Sequence, residues 1–198
     1  LNQTFDDFEL LIVDDGSFDN TVDIIKGYSD SRIRLLKNET NRGITGTLNK
    51  GLDHAKGKFI ARIDGNDIAK KNRFKVQIDM MRVFDLVGSN LEYIDKNGKF
   101  IRQGIDLQIP PRLEKEFLMF YNICHSSIMF KKELLMSPNN RYQERNAEDF
   151  QLYLSLAENS CFSIAPETLM QIRILDTGLN TGDIFATNMK DIDMMRIT

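Results

Sequence analysis

The fold is decided by the stretch FELLIVDDG, residues 8–16. Residues 8–13 are a mainly apolar run of strand length with acidic residues on either side, which predicts a buried β-strand. Asp14 and Asp15 follow at the point where that strand stops. A helical pattern begins at Thr21, a few residues later, so this stretch predicts the start of a βα unit.

The same alternation of strand and helix continues along the chain after this stretch. Strands are predicted over residues 32–36 and 58–63, and helices over residues 43–55 and 71–83. This alternation predicts an α/β protein with a mostly parallel sheet flanked by helices. Ligands of such sheets bind outside the carboxyl ends of the strands, where we expect four aspartates to gather: Asp14, Asp15, Asp64 and Asp67.

The pattern changes after about residue 84, where shorter strands and a strong hairpin signal, Asn97-Gly98, predict a smaller antiparallel portion. We expect one domain over residues 1–198, with halves at 1–83 and 84–198 and a C-terminal helix. The further predicted elements are short strands at 86–88, 91–94, 100–101 and 126–130, helices at 113–121, 147–157 and 183–196, and a lid loop at 176–183.

Composition excludes several classes of protein. The net charge of −3 over 198 residues is the opposite of the basic footprint of a nucleic-acid binder, so no nucleic-acid partner is expected. No run approaches the roughly 18 apolar residues of a membrane span. Cys124 and Cys161 have no metal-ligand spacing, and reduced thiols in a cytoplasmic protein are the default interpretation.

Two acidic segments at strand ends have alternative interpretations. Asp14 and Asp15 can be a simple strand end before a capped helix, or a pair that faces a cation, a donor or water because adjacent carboxylates repel. Asp64, Asn66 and Asp67 can be a tight turn, or the oxygen ligands of Mg²⁺ or Mn²⁺ bridging diphosphate oxygens.

A third acidic segment opens the predicted helix at 147–157. Glu148 and Asp149 can be first-turn acids stabilised by the helix dipole, or they can present a catalytic base at the start of the helix. Asn49, inside the predicted helix at 43–55, is a poor helix former and calls for another role.

The order and spacing of these segments resemble those of family 2 glycosyltransferases of the GT-A fold over about residues 1–170. The matching residues are Gln3-Thr4-Phe5, Val13 to Thr21, Asn41 to Ala61, Asp64 to Asp67, His125 to Glu133 and Glu148 to Phe150. The resemblance implies a Rossmann-like sheet whose first half binds a nucleotide sugar and whose second half faces the acceptor. It implies inverting transfer of a sugar from a nucleotide diphosphate, with UDP favoured, to a hydroxyl group.

The resemblance also implies roles for individual residues. Asp15 or Asp14 would bind the nucleobase. Asp64 and its neighbours would form the DxD-like motif that meets the ribose and the metal, and Asp149, beside Glu148, would be the general base. The other expected donor-site residues are Asn41, Gly43, Asn49 and Arg173.

The sequence departs from the family pattern at three places. Asn66 stands where the motif has its second acid, which removes a charge from the metal site. No histidine follows the base in a YRxH-like stretch, although Arg173 is present and is expected to face the diphosphate. The family opens with a strand and helix that precede the first residue here, so we expect a βα piece of about thirty residues to be missing and the sheet to lack a central strand.

Two rival functions share parts of this pattern. A nucleotide-sugar-binding module with weak or no catalysis on the same fold would explain Asn66 and the missing histidine. A phospho-accepting receiver domain also has acids after two strands, but the chain is much longer than one receiver. For the leading interpretation we expect a glycan or lipid-linked acceptor in polysaccharide assembly and a cytoplasmic location. Peripheral association with the inner face of the membrane is left open.

Overall fold

The structure, a computed structural model, describes residues 1–108, 123–143, 147–158, 160–175 and, for the backbone, 191–197. Its strands are β1 (Phe8–Asp14), β2 (Ile33–Lys37), β3 (Phe59–Asp64), β4 (Ile68–Ala69), β5 (Leu86–Ile94), β6 (Phe100–Gln103), β7 (Met129–Lys131), β8 (Phe162–Arg173) and β9 (Asp191–Ile197). Its helices are α1 (Thr21–Lys26), α2 (Gly43–His54), α3 (Arg73–Met80) and α4 (Glu148–Ala157), with 3₁₀ turns at His125–Ser127 and Lys132–Met136.

The described strands form a single mixed sheet in the order β2-β1-β9-β3-β7-β5-β8-β4, with β6 paired to β5. Five of them, β1, β2, β3, β5 and β8, run in the same direction. Antiparallel strands lie between and beside these five. The predicted α/β class is therefore confirmed, and the carboxyl ends of β1, β3, β5 and β8 share one edge of the sheet.

Apolar side chains cover both faces of the sheet because side chains alternate along each strand. Leu11 and Ile60 are fully buried on the face where Leu48 and Leu52 of α2 pack. Ile12 and Ala61, one residue further along each strand, face the cluster on the other side, where Phe74 of α3 is fully buried. The core thus holds β1 and β3 rigidly, and with them the acids at their ends.

The predicted C-terminal helix is wrong over Asp191–Ile197, which is strand β9. β9 runs antiparallel to β1 on one side and to β3 on the other, so it occupies the central position that we expected to be empty. The physical reason is that β1 and β3 each offer a row of backbone N–H and C=O groups, and buried groups of this kind must be paired. That tertiary requirement outweighs local helix propensity.

Smaller differences concern the second half of the chain. The two short strands expected at 86–88 and 91–94 are one continuous strand, β5, while the Asn97-Gly98 turn occurs as predicted, with Gly98 at φ 85°. The strand expected at 126–130 is partly a 3₁₀ turn. The predicted helix at 113–121 and the lid at 176–183 lie outside the described residues. Within the described part of the chain, no helix is long and apolar enough to cross a bilayer.

Candidate functional site

Two of the predicted acids end neighbouring codirectional strands at the same level. Asp14 is opposite Asp191 of β9, and Asp64 is opposite Ile192, the next residue of the same strand. Because adjacent strands lie about 4.8 Å apart, the backbones of Asp14 and Asp64 are separated by about 10 Å across β9. The sheet therefore brings the first two acidic segments together at its carboxyl edge, as expected.

The Asp15 carboxylate is the centre of a local hydrogen-bond network. Its Oδ1 accepts hydrogen bonds from Asn38 Nδ2 at 2.6 Å and from the backbone N–H of Arg42 at 2.8 Å. The Nδ2 of Asn41 donates to the Asp15 carbonyl at 3.2 Å. The neighbouring Asp14 accepts from the backbone N–H of Ser17 at 3.0 Å. These bonds fix the loop after β1 against the start of α2.

Two glycines shape this loop. Gly16 and Gly43 have φ values of 88° and 71°, a region that residues with a Cβ enter only at a cost. The N–H of Gly43 donates to Asn41 Oδ1 at 3.1 Å. Asn41 and Gly43 are exposed at the mouth of the loop, where a ligand can reach them.

Asn49, one of the expected donor-site residues, contacts the second half of the chain. Its side chain donates to the Tyr142 carbonyl at 2.8 Å and accepts from the Tyr142 N–H at 3.1 Å. Both ends of the amide are thereby used to hold a segment of the second half of the chain against α2. This contact accounts for an asparagine inside the helix.

The Asp64 carboxylate is held by a buried cation. The guanidinium of Arg62, with its side chain fully buried, is ion-paired with Asp64. The Ser126 hydroxyl donates to Asp64 Oδ2 at 2.6 Å and accepts from the Asp64 N–H at 3.0 Å. Burial lowers the pKa of Arg62, but attraction to Asp64 and to other nearby groups outweighs it and the pKa is raised. Arg62 is therefore a permanent positive charge beneath the acidic turn.

The remaining residues of the acidic turn contact the end of β8. Asp67 Oδ1 accepts from the Arg173 N–H at 3.0 Å, and Arg173 Nε donates to the Asn66 carbonyl at 2.9 Å. Burial raises the pKa of Asp67 to about 6, with the nearby Asp64 charge contributing. The side chain of Asn66 is exposed. Arg173 thus braces the turn that bears the candidate metal ligands.

The third acidic segment is at the start of α4. Asp149, in the first turn of α4, is 8% exposed, and its Oδ1 accepts from the Phe150 N–H at 2.7 Å. The charges of Asp149, Asp64 and Glu148 all act on the buried Tyr142 hydroxyl, which adds to the effect of burial in raising the pKa of Tyr142. The carboxylates of Asp64 and Asp149 thus both act electrostatically on one buried side chain, whose hydroxyl shares a 2.7 Å hydrogen bond with His125 Nε2.

Several residues of this site were not among the predicted site residues. Arg62 was detectable as a charged residue inside an apolar strand, which is unusual because an unpaired buried charge is costly. Ser126 and His125 lie in a segment that matched the family but had no assigned role. Tyr142 gives no signal in the sequence, since it reaches the site only through long-range contacts.

The acidic turn at residues 64–67 is the part of the site that could hold a divalent cation. Among the residues that the structure describes, no three of His, Cys, Asp and Glu gather closely enough to hold a metal ion. The turn nevertheless offers two carboxylates and one exposed amide, the oxygen donors that hard cations prefer. Burial and the neighbouring Asp64 charge disfavour ionised Asp67, and a cation there would relieve both effects. The donor chemistry therefore fits Mg²⁺ or Mn²⁺.

Comparison with known families and proteins gives a consistent picture. The family described as glycosyl transferase family 2 matches residues 1–136. An uncharacterized glycosyltransferase of Haemophilus influenzae is 29% identical over 194 residues, which cover 88% of this chain and 58% of that protein. The Escherichia coli UDP-Glc:alpha-D-GlcNAc-diphosphoundecaprenol beta-1,3-glucosyltransferase WfgD is 42% identical over 106 residues, or 51% of this chain and 42% of that protein. The chain thus spans about half the length of these relatives.

The fold is also shared with solved structures. S. aureus TarS 1-349 in complex with UDP-GlcNAc superposes with a TM-score of 0.74 at 19% identity, covering 94% of this chain and 55% of that chain. The crystal structure of S. aureus TarS gives a TM-score of 0.72 and 21% identity over 87% of this chain and 32% of that chain. This likeness shows the fold, and it confirms the GT-A architecture that the resemblance implied.

Proposed function

Because the chain belongs to glycosyl transferase family 2, we propose that it transfers a sugar from a nucleoside diphosphate sugar to an acceptor hydroxyl in glycan or polysaccharide assembly. UDP is the favoured nucleotide, since WfgD is named for a UDP-Glc donor and TarS was crystallised with UDP-GlcNAc. The diphosphoundecaprenol in the name of WfgD favours a lipid-linked acceptor. The observation that carries the proposal is the shared sheet edge of Asp14 and Asp64, and the charges of Asp64 and Asp149 both act on the buried Tyr142 hydroxyl.

In this proposal, residues 1–83 bind the donor. Asp14 or Asp15 forms a hydrogen bond with the nucleobase. The loop that carries them is held rigidly in place by Asn38 and Arg42. Asn41 and Gly43, exposed at the mouth of that loop, contact the nucleotide directly. Asn49 acts indirectly, because its amide is bonded to Tyr142 and so links the donor half to the acceptor half at 84–198.

Asp149 is the proposed general base. An acceptor oxygen forms a bond to the anomeric carbon while the bond from that carbon to the diphosphate oxygen breaks and its electron pair leaves with the diphosphate. The proton of the acceptor hydroxyl goes to the Asp149 carboxylate, with Glu148 as the neighbouring carboxylate. Attack from the face opposite the leaving group inverts the anomeric configuration, and placement of the base supplies typically ~10²–10⁴-fold of the rate.

The acidic turn would hold the divalent cation. Asp64, Asn66 and Asp67 are the proposed ligands of Mg²⁺ or Mn²⁺, which as a Lewis acid stabilises the charge that grows on a leaving diphosphate. Arg62 and Ser126 fix the Asp64 carboxylate, and Arg173 holds the Asn66 carbonyl and the Asp67 carboxylate in place. Because Asn66 carries no charge, we expect metal affinity below that of a site with three acids.

The proposed location of the protein is the cytoplasm. It would associate peripherally with the inner face of the membrane, where a lipid-linked acceptor would be found. This part of the proposal is supported by the acceptor in the name of WfgD alone.

Nucleotide binding can be tested by thermal unfolding of the full chain. UDP with Mn²⁺ at about 100 times its dissociation constant should raise the melting temperature by about 5–10 °C, since ligation stabilises the native state by about 2.7 kcal/mol. Asp64→Asn should remove the part of the shift that depends on Mn²⁺. A shift that is the same in both proteins would exclude Asp64 from the metal site.

Catalysis is tested separately, by release of UDP from UDP-sugars in the presence of Mn²⁺ and a diphosphate-lipid acceptor. Asp149→Asn should lower kcat by ~10²–10⁴-fold with little change in the UDP-dependent thermal shift. Glu148→Gln is the matched control and should lose far less. Equal, near-zero turnover in the wild type and in both variants, with the thermal shift retained, would instead identify a nucleotide-sugar-binding module.

A further inference from the structure

The hairpin formed by β5 and β6 leaves three large apolar side chains exposed. We call residues 96–105 the hairpin surface. Phe100, Ile101 and Ile105 are 56%, 46% and 72% exposed. All four residues of β6 are exposed, and its register against β5 shifts between Phe100 and Arg102, so that Ile101 is the extra residue of a β-bulge. The strand therefore presents Phe100 and Ile101 at an irregular, exposed edge of the sheet.

The outward charges of the hairpin surface are positive. Lys96, Lys99 and Arg102 are exposed, and the Arg102 guanidinium lies 4.0 Å above the Tyr93 ring. Two acids flank this surface and offset part of its charge: Asp95 Oδ1 accepts from two N–H groups of the turn at 2.8 and 2.9 Å, and Asp106 accepts from Asn90 Nδ2 at 2.7 Å. A basic, apolar surface is thus concentrated on a chain whose net charge is −3.

The hairpin surface lies at the same edge of the sheet as the acidic turn. Ala61 and Val87 both pair with Met129, so Asp64, three residues further along β3, is level with Asn90 of β5. β5 continues four residues beyond that level to Ile94, or about 13 Å, before the turn. Arg173 joins the two features, because its Nη1 donates to the Asp95 and Lys96 carbonyls while its Nε donates to the Asn66 carbonyl.

We propose that the hairpin surface is a membrane-docking element that inserts Phe100, Ile101 and Ile105 into the interface of an anionic lipid bilayer. Apolar side chains mixed with Lys and Arg bind such interfaces through buried apolar area and attraction to anionic headgroups. Docking by this projecting edge holds the mouth of the cleft against the lipid surface. The proposal rests on the proposed function, because a lipid-linked acceptor would then enter the cleft from the bilayer beside Asp64 and Asp67.

The test measures binding of the full chain to sedimenting vesicles of phosphatidylcholine alone and of phosphatidylcholine with 30 mol% (about one anionic lipid in three) phosphatidylglycerol. We expect binding to the anionic vesicles that weakens at high salt, since surface charges are screened within about 10 Å at 0.1 M salt. Lys99→Gln/Arg102→Gln should bind about 25-fold more weakly, at roughly fivefold per cation. Phe100→Ser/Ile101→Ser should lose at least about tenfold.

Matched controls exchange apolar side chains that are equally exposed elsewhere. Val83→Ser and Met136→Ser, at positions 72% and 88% exposed, should bind vesicles as the wild type does. Unchanged melting temperatures show that the hairpin variants are folded. No vesicle binding, equal binding to both lipid compositions, or equal losses in the control variants would overturn the proposal. So would hairpin variants that bind lipid normally but change the oligomeric state in solution, because the surface would then be a protein contact.

The vesicle test fails independently of the proposed function. If lipid binding is absent while UDP with Mn²⁺ still raises the melting temperature, the docking proposal is wrong and the transferase proposal stands. If lipid binding behaves as expected but no nucleotide shifts the melting temperature, the transferase proposal fails instead. Hairpin variants should retain the full nucleotide shift, since the substituted side chains make no contact with Asp14, Asp15 or Asp64 among the described residues.

Discussion

The loop around Asp15 and the turn around Asp64 both present a carboxylate at the same sheet edge, but they are built in different ways. Asp15 is held by neutral donors that lie 23 and 27 residues away, in the next βα unit. Asp64 is held by a buried guanidinium and by a serine 62 residues away, and its neighbour Asp67 is bonded to a residue 106 positions away. The contacts of the first region come from the next βα unit, whereas those of the second region come mainly from residues far away in the sequence.

The backbone shows the same contrast. In the Asp15 region the two residues with positive φ are Gly16 and Gly43, so sequence and conformation agree. Beside Asp149, Ala147 adopts φ 59°, and it is the one described non-glycine residue with positive φ. Local disagreement of this kind is tolerated where the surrounding structure imposes it, and it is concentrated at functional sites. We infer that the second region trades stability for the placement of Asp64 and Asp149.

Removal of the buried cation should give the largest difference in stability between the two regions. Arg62→Met leaves the Asp64 carboxylate without its partner and should lower the free energy of unfolding by about 3–5 kcal/mol. Asn38→Ala, which removes one donor from Asp15, should cost about 2 kcal/mol, because it removes a hydrogen bond to a charged group. Urea denaturation of both variants measures the difference. Equal costs would show that the two carboxylates are held in the same way.

A double-mutant cycle separates the ion pair from general damage to the core. Asp64→Asn alone should also destabilise the protein, since it leaves Arg62 buried and unpaired. The free energy of unfolding lost in Arg62→Met/Asp64→Asn should be smaller, by more than about 1 kcal/mol, than the sum of the losses in the two single variants. The reason is that neither charge then remains uncompensated, and a coupling of about 1–3 kcal/mol is usual for contacting groups. Simple additivity would mean that Arg62 matters for packing and not for its charge.

The sequence predicts the locally encoded parts of the molecule and misses the assembled ones. β1, α2 and β3 follow from short-range periodicity, and Asp14 and Asp64 at the shared edge follow from strand direction. β9 was missed because its strand conformation depends on two unpaired neighbours, β1 and β3, and not on its own residues. Tyr142 and the contact of Arg173 with Asp67 were missed for a related reason: no local pattern records a contact over 93 or 106 residues.

The buried His125 makes the stability of the region around Asp64 and Tyr142 depend on pH. Burial, reinforced by the Arg62 charge, lowers the pKa of His125 well below its usual value of 6.5. Below about pH 6.5 the unfolded chain therefore binds a proton at this histidine that the folded chain does not, and the contribution of His125 to stability falls as pH falls. The slope from this one group approaches about 1.4 kcal/mol per pH unit, and it ends only below the lowered pKa of the folded state. The raised pKa of Asp67 acts in the opposite sense, so the effect of His125 is read from the difference between wild type and a His125 variant.

His125→Gln should remove that slope, because glutamine does not titrate and can still accept a hydrogen bond from the Tyr142 hydroxyl. Urea denaturation between pH 5 and 7 (about two units around the reference value) measures the difference between the two proteins. His54, which is exposed, supplies the matched control His54→Gln, which makes the same exchange outside the buried region. Parallel curves for wild type and His125→Gln would show that folding does not change the pKa of His125.

The smallest expected effect comes from exchanging alanine and glycine at the left-handed positions. Gly43→Ala should lower the free energy of unfolding by about 1 kcal/mol through backbone strain alone, since no atom lies within 4 Å of the added Cβ. Ala147→Gly should raise it by less than about 1 kcal/mol, because relief of strain is partly offset by the greater freedom of glycine in the unfolded chain. Changes of opposite sign in the free energy of unfolding, measured by urea denaturation, would show that the two regions differ in backbone strain. If Ala147→Gly destabilises the protein, the alanine methyl group contributes packing that exceeds its strain, and the turn before Asp149 is then as well matched to its sequence as the loop after Asp15.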